Sequence, residues 1–266
     1  MNYIENIGFI YNQLFNDLAD PRTNNWFMVR NPFPVFSIAI AYNFFVLGLG
    51  PKYMSRRKPF DLRKILILYN ALQVLLSMYI FHDGFIAYLY RYSLRCEPVD
   101  TTWSEEAMRA ARGCYIYYLA KVTELMDTVF FILRNKYDQV TFLHVYHHTI
   151  MPLISWGNVK YFPGGHGVFI GMINSFVNVI MYVYYMIAAM GPNYQKYIWW
   201  KKHITLLQMV QMGVTFFHSA QLLFIDCGYP RWTILFTMPN AILFIFLFND
   251  FYKNIHCVTN KILVRK

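Results

Sequence analysis

The sequence is short of charge. Of its 266 residues only 14% are Asp, Glu, Lys or Arg, against 57% hydrophobic and 20% aromatic. That balance excludes an ordinary soluble domain of this length and points to a membrane protein. No long polar stretch is left to carry chemistry separately, and no internal repeat or low-complexity linker divides the chain, so residues 1–266 read as a single multi-pass membrane domain. Acidic residues are scarcer than basic ones, 14 against 24, for a net charge of +10. The basic residues sit in short clusters between apolar runs, which disfavours nucleic acid and favours anionic lipid headgroups or an anionic cosubstrate. The opening MNYIENIGFIYNQLFNDLAD lacks the basic start and small-residue cleavage site of a signal peptide, so it is expected to remain in the mature protein.

What is abundant is apolar sequence in runs of membrane-crossing length. A hydrocarbon core of about 30 Å needs roughly 20 mostly apolar residues per helix, and seven runs approach this, near 34–50, 65–84, 114–133, 140–157, 167–189, 203–225 and 232–249. An all-α fold with seven transmembrane helices is therefore expected. The second run reaches His82, Asp83 and Gly84, where a helix is expected to meet the interface, followed by the aromatic FIAYLYRY lying along it. The loops 51–64, 134–139, 190–202 and 250–266 share one side and hold 15 basic residues, while the other side holds eight. The positive-inside rule then puts the N-terminus in the lumen and the C-terminus in the cytosol. Cys96 in RCEPVD and Cys227 in DCGYP both fall on the oxidising side and are a candidate disulfide, with two unpaired loop cysteines as the alternative.

Against this background the polar residues inside the runs stand out. His144, His147 and His148 in TFLHVYHHTI are spaced i, i+3 and i+4 and share a helix face. One run earlier, KVTELMDT sets Lys121, Glu124 and Asp127 at three-residue steps along one helix flank. Asn174, Asn178, Met181 and Tyr185 form a stripe on the fifth run, with Tyr182 in the same MYVYY block, and Thr205, Gln208, Gln211, Thr215 and His218 form another on the sixth. At 1.5 Å per residue, His147 lies roughly 10 Å from the cytosolic end of its span and Asn178 roughly 16 Å. The polar groups of four helices are thus expected toward the cytosolic half of the bilayer. Ionisable groups there cost about 2.5 to 3.5 kcal/mol each on the milder scale, so they normally pair in a bundle interior and mark a functional path. The alternative is a hydrogen-bond network that only holds helices together.

Three histidines support two chemistries. Membrane di-iron enzymes use HxxHH boxes but need several of them, and the remaining histidines, His82, His166, His203, His218 and His256, are scattered singly at unrelated depths. No metal and no cofactor are therefore expected, with a single zinc on two or three of the cluster as the alternative. The second chemistry is covalent catalysis. A neutral imidazole can attack a thioester, and because an acyl-imidazole is about as reactive as a thioester, the acyl group can pass on without a large thermodynamic step. A seven-helix receptor would more naturally place its pocket on the outer side, and a transporter should show repeat symmetry or broken helices.

The blocks in order resemble one family, the very-long-chain fatty acid elongases, condensing enzymes of the endoplasmic reticulum membrane. They are DPR at Asp20 to Arg22 with Trp26, GPKYMSRRKPFDL, the pair Tyr69 and Asn70, KVTELMDT, FFILRNK, QVTFLHVYHH, GGHG, NSFVNVIMYVYY, TLLQMVQ and FNDFY. The combination of KxxExxDT, HxxHH, MYxYY and TxxQxxQ is specific where each alone is weak. The resemblance implies seven helices, six of them in a closed bundle around a narrow acyl tunnel. It implies condensation of long-chain acyl-CoA with malonyl-CoA to 3-oxoacyl-CoA, CO2 and CoA, alongside the other enzymes of the elongation cycle (ketoreductase, dehydratase and enoyl reductase). In the family scheme the acyl carrier is the middle histidine, here His147, with His144 and His148 orienting or protonating. Asn178, Gln208 and Gln211 become neutral donors to a developing oxyanion. Lys121, Glu124, Asp127, Asn174 and Tyr182 surround them. Arg56, Arg57, Lys58, Lys201, Lys202 and Arg265 are candidates for the CoA phosphates, or anchors to anionic lipid. One position departs from the pattern: family members commonly carry His before MY, and this chain has Asn178. An amide donates a hydrogen bond but relays no proton, so the alternative to an active enzyme is a catalytically impaired homologue.

Overall fold

A computed structural model describes residues 3–197 and 199–264, with side chains placed except at 3–4, 195, 201–202 and 251–264. Among the described residues there is helix and no strand. The chain divides into two compact units, Met1–Leu62 with Pro98–Val168, and Arg63–Glu97 with Phe169–Lys266.

The first unit holds α1 (Tyr3–Asn12), α2 (Phe33–Phe44), α3 (Gly50–Met54), α5 (Glu105–Thr123), α6 (Leu125–Leu133) and α7 (Phe142–Tyr161). A π-helical turn, Phe45–Leu49, joins α2 to α3 into one continuous run. Gly50 is needed where that run touches α6, because a Cβ there would lie 2.9 Å from the Phe45 carbonyl oxygen and 3.0 Å from Ile132. Two apolar clusters fill the unit. Tyr42, Val46, Met54, Leu125, Ile132 and Val145 pack at one end, and Val29, Val35, Tyr118, Trp156 and Val159 at the other.

The run expected as a single helix over 114–133 is longer and is broken. Ser104 caps α5 by accepting from the Ala107 N–H, and the helix is interrupted at Glu124 before α6 resumes. Lys121 and Asp127 therefore sit on two different helical segments with Glu124 at the joint, rather than on one straight flank. The end of α6 is a left-handed Asn135 (φ 54°), a usual helix-terminating residue. The Asn135 amide donates to the Arg57 carbonyl at 3.2 Å, and the Phe60 N–H donates to the Leu133 carbonyl at 3.0 Å. The turn after α3 is thereby tied to the end of α6.

At its other end α7 leaves carbonyls without helical donors, and the irregular segment 18–32 supplies them. Asp20 N–H donates to the Lys160 carbonyl at 2.8 Å, and the Thr23 hydroxyl to the Val159 carbonyl at 2.6 Å. Lys160 in turn donates to the Asn24 side chain and to the Arg30 carbonyl. The buried Asp20–Arg22 ion pair holds this segment in shape, with Arg22 also donating to the Asp100 carbonyl. The DPR block thus closes the end of α7.

The second unit holds α4 (Arg63–Tyr90), α8 (Gly167–Ala189), α9 (Lys201–Ala220) and α10 (Ile234–Val264). Contrary to expectation, α4 runs unbroken through His82, Asp83 and Gly84 to Tyr90. It packs antiparallel to α8, pairing Tyr69 with Tyr182, Phe81 with Phe176 and Tyr88 with Phe169. Gly84 permits the approach, since a Cβ there would sit 2.9 Å from that of Met172. On the next helix, Phe169 stacks on His218 with ring centroids 4.0 Å apart and Gln208 donates to the Met181 sulfur at 3.7 Å, which sets α9 antiparallel to α8. A disulfide joins Cys96, after α4, to Cys227, between α9 and α10, with Cα atoms 6.0 Å apart.

Large apolar side chains are exposed along whole helix faces, including Phe33, Ile40 and Leu47 on the α2–α3 run, Leu68 and Leu75 on α4, and Leu235 and Phe246 on α10. Water would penalise that surface and hydrocarbon does not. Among the described residues four stretches are long and apolar enough to cross a membrane: Phe33–Met54, Arg63–Tyr90, Gly167–Ala189 and Arg231–Asp250. The protein is a multi-pass membrane protein.

Candidate active site

In the first unit the three histidines do share one side of α7. Thr141 caps that helix, its hydroxyl accepting from the His144 N–H at 3.3 Å, so the cluster begins in the first turn. The His144 and His148 rings lie 4.2 Å apart by centroid, and His147 meets His148 edge-on at 5.3 Å. His148 is buried, whereas His144 and His147 are partly exposed. One turn further on stands Pro152, which has no N–H to offer the His148 carbonyl four residues back. The ladder is thus locally relaxed behind the cluster.

The KVTELMDT segment lies against these rings. The break at Glu124 makes its backbone a hydrogen-bond partner of the His148 ring. The Glu124 carboxylate accepts from Lys121 Nζ at 2.8 and 2.9 Å, and Lys121 also lies 4.9 Å from the centre of the Tyr117 ring. Both partners are almost fully buried. Removing either one would strand a buried charge at a cost of about 3–5 kcal/mol. Asp127 is buried in the next turn.

Two contacts fall on residues the sequence pattern did not single out. Thr128 Oγ1 is 2.8 Å from His144 Nε2, and 2.7 Å on its other side is the Tyr42 hydroxyl from α2. Next to Tyr42, Asn43 donates to the Thr149 hydroxyl at 3.0 Å. The available signal was the Tyr42–Asn43 pair in an otherwise apolar run, together with the Thr that ends KVTELMDT.

The second unit carries the remaining candidates. Asn174, Asn178 and Tyr182 are buried along α8, and Gln211 is buried on α9, where Gln208 is partly exposed and bonded to Met181. Arg56, Arg57 and Lys58 are exposed on the turn after α3, with the Arg57 guanidinium 4.1 Å over the Tyr53 ring. The stitching of that turn to the end of α6 adds Arg134 and Lys136 to the same basic end. The side chains of Lys201 and Lys202, and Arg265 altogether, lie outside the described residues.

Chemically, the first unit offers a partly exposed imidazole beside two others, with the Lys121 ammonium paired to Glu124. The sequence signature of the ELO family, described as the GNS1/SUR4 family, matches residues 27–262. The chain belongs to this family. Its relatives include very long chain fatty acid elongase 7 of Drosophila melanogaster, 48% identical over 95% of this chain and 78% of that protein. Very long chain fatty acid elongase 7 of Rattus norvegicus is 46% identical over 88% of this chain and 84% of its own length. Very long chain fatty acid elongase 1 of Mus musculus is 43% identical over 94% and 91%. Within this ELO family chain, the histidine cluster and the KVTELMDT block are the parts of the family pattern that one compact unit brings into contact.

Proposed function

We propose that this chain elongates very-long-chain fatty acids by condensing a long-chain acyl-CoA with malonyl-CoA, carrying the acyl group on His147. The observation that supports His147 is its position. It is partly exposed beside a buried His148 and a His144 already bonded to Thr128, in a setting where the neighbouring ammonium is neutralised by Glu124.

In the first half-reaction a neutral ring nitrogen of His147 attacks the thioester carbonyl. A C–N bond forms, the C–S bond breaks, and the departing CoA thiolate takes the proton the imidazole gives up. Malonyl-CoA then loses CO2, and the resulting enolate carbon attacks the acyl-imidazole. A C–C bond forms, the C–N bond breaks, and the imidazole regains a proton from the medium. An oxyanion develops at both attacks, and we assign its stabilisation to the amides of Asn178, Gln208 and Gln211. Arg56, Arg57 and Lys58, with Lys201, Lys202 and Arg265, are assigned to the CoA phosphates.

The proposed setting is the endoplasmic reticulum membrane, with the N-terminus lumenal and the C-terminus cytosolic. Three further helical runs, α5–α6, α7 and α9, cross the membrane in addition to the four long apolar stretches, and six helices enclose an acyl tunnel. A disulfide between Cys96 and Cys227 supports an oxidising compartment for that side. The other enzymes of the elongation cycle are the expected partners.

Purified protein in lipid, given labelled malonyl-CoA and a range of acyl-CoAs, tests the reading. CO2 release should depend on the acyl-CoA and fall by about 1,000-fold or more in His147→Ala. Incubation with acyl-CoA alone should add one acyl mass to the intact chain, removable by hydroxylamine and absent from the variant. Full activity in His147→Ala would sink the acyl-histidine step. Asn178 favours a second reading, an impaired homologue, in which malonyl-CoA turnover stays at background with every acyl-CoA.

A further inference from the structure

The hydrogen-bond chain from Tyr42 through Thr128 to His144 has only one arrangement of protons that gives both hydroxyl protons an acceptor. Thr128 carries a single hydroxyl proton and stands between two partners, Tyr42 at 2.7 Å and His144 Nε2 at 2.8 Å. Thr128 is fully buried and Tyr42 nearly so. Among the described residues the Tyr42 hydroxyl has no other hydrogen-bond partner. If His144 donated from Nε2, Thr128 would either donate onward to the tyrosine oxygen, leaving the Tyr42 proton buried without an acceptor, or accept from both neighbours, leaving its own proton without one. A buried donor left unmade costs its full desolvation, so this direction is disfavoured. In the other direction Tyr42 donates to Thr128, Thr128 donates to the Nε2 lone pair, and neither buried hydroxyl proton is orphaned. The proton of a neutral His144 is then on Nδ1.

We infer that Tyr42 and Thr128 are positioning residues that hold His144 as the Nδ1–H tautomer with its Nε2 lone pair occupied. The first histidine of the cluster is then a hydrogen-bond donor, neither a base nor an acyl carrier. This rests on the reading that the histidine cluster is the reacting centre. The geometry around the ring fits a fixed donor, since Phe131 at 5.3 Å and His148 at 4.2 Å restrict its rotation. With His144 committed and one side of the His148 ring held by the Glu124 backbone, the protons of the two half-reactions fall first to His147. The anchor comes from α2, a helix with no histidine of its own and no part in the family blocks quoted above.

Ring-15N histidine in the full-length protein in lipid, measured by solid-state NMR, reads the tautomer directly, with the His144 signals assigned by their loss in His144→Gln. The expected result is a protonated Nδ1 and a hydrogen-bonded, unprotonated Nε2, with a mixture of tautomers in Thr128→Val. In steady state Thr128→Val should lower kcat about tenfold with KM for both CoA substrates within about twofold, and Thr128→Ser should restore it. Tyr42→Phe combined with Thr128→Val should be no slower than Thr128→Val alone, because the tyrosine acts only through the threonine. A protonated Nε2 in the unmodified protein, wild-type kcat in Thr128→Val, no rescue by serine, or additive losses in the double variant would each overturn the inference. The NMR readout is independent of turnover. An active His147→Ala would therefore sink the acyl-histidine reading while leaving the tautomer result to stand or fall by itself.

Discussion

Asn178 is buried on α8, and the resemblance read from the sequence leads one to expect histidine there. An asparagine side chain keeps a neutral N–H donor but has no basic nitrogen, so proton relay is the one function it forfeits. Asn178→His should raise kcat by about tenfold if that relay limits the rate. Unchanged turnover of acyl-CoA and malonyl-CoA would show that donation alone suffices here. The same residue-level logic separates the charges of KVTELMDT. Lys121, Glu124 and Asp127 read from spacing as equivalent neighbours on one flank, but the bidentate Lys121–Glu124 pair distinguishes them. Spacing reports which face a residue occupies, whereas pairing depends on the backbone break at Glu124.

At the scale of elements, the long apolar runs were legible because hydrocarbon demands unbroken stretches of helix-length sequence. The fifth run coincides with α8, Gly167–Ala189, and the first and seventh differ mainly at their ends. Two readings failed for a shared reason. His82, Asp83 and Gly84 looked like an exit from the membrane, and KVTELMDT looked like uninterrupted helix. Both judgments used local composition, while the outcome depended on what packs alongside. Gly84 serves the close approach of α4 to Met172 on α8 rather than a turn. Gly84→Ala should therefore destabilise the protein by about 1–3 kcal/mol, the usual cost of overpacking, visible as a lower midpoint of thermal unfolding in detergent. An unchanged midpoint would mean that the two helices separate without penalty.

For the whole molecule, the disulfide is a long-range covalent constraint, joining cysteines 131 positions apart in the chain. Loop-closure entropy for a ring of that size corresponds to about 2–5 kcal/mol. Replacing both cysteines with serine should lower the midpoint of thermal unfolding in detergent. A midpoint equal to the parent's would show that the bridge adds no stability. The sequence by itself determined the membrane class, the all-helical architecture and the histidine cluster, because hydrophobic length and 3.6-residue periodicity are properties of a continuous segment. It also carried the family pattern, which is a matter of ordered residues alone. Only the tertiary structure decided that Tyr42 reaches His144 through Thr128, that Glu124 is spent on Lys121, and that segment 18–32 closes the end of α7. Those contacts join residues distant in the chain or displaced by a helix break, and hydrogen bonds between them form only after packing has brought the helices together.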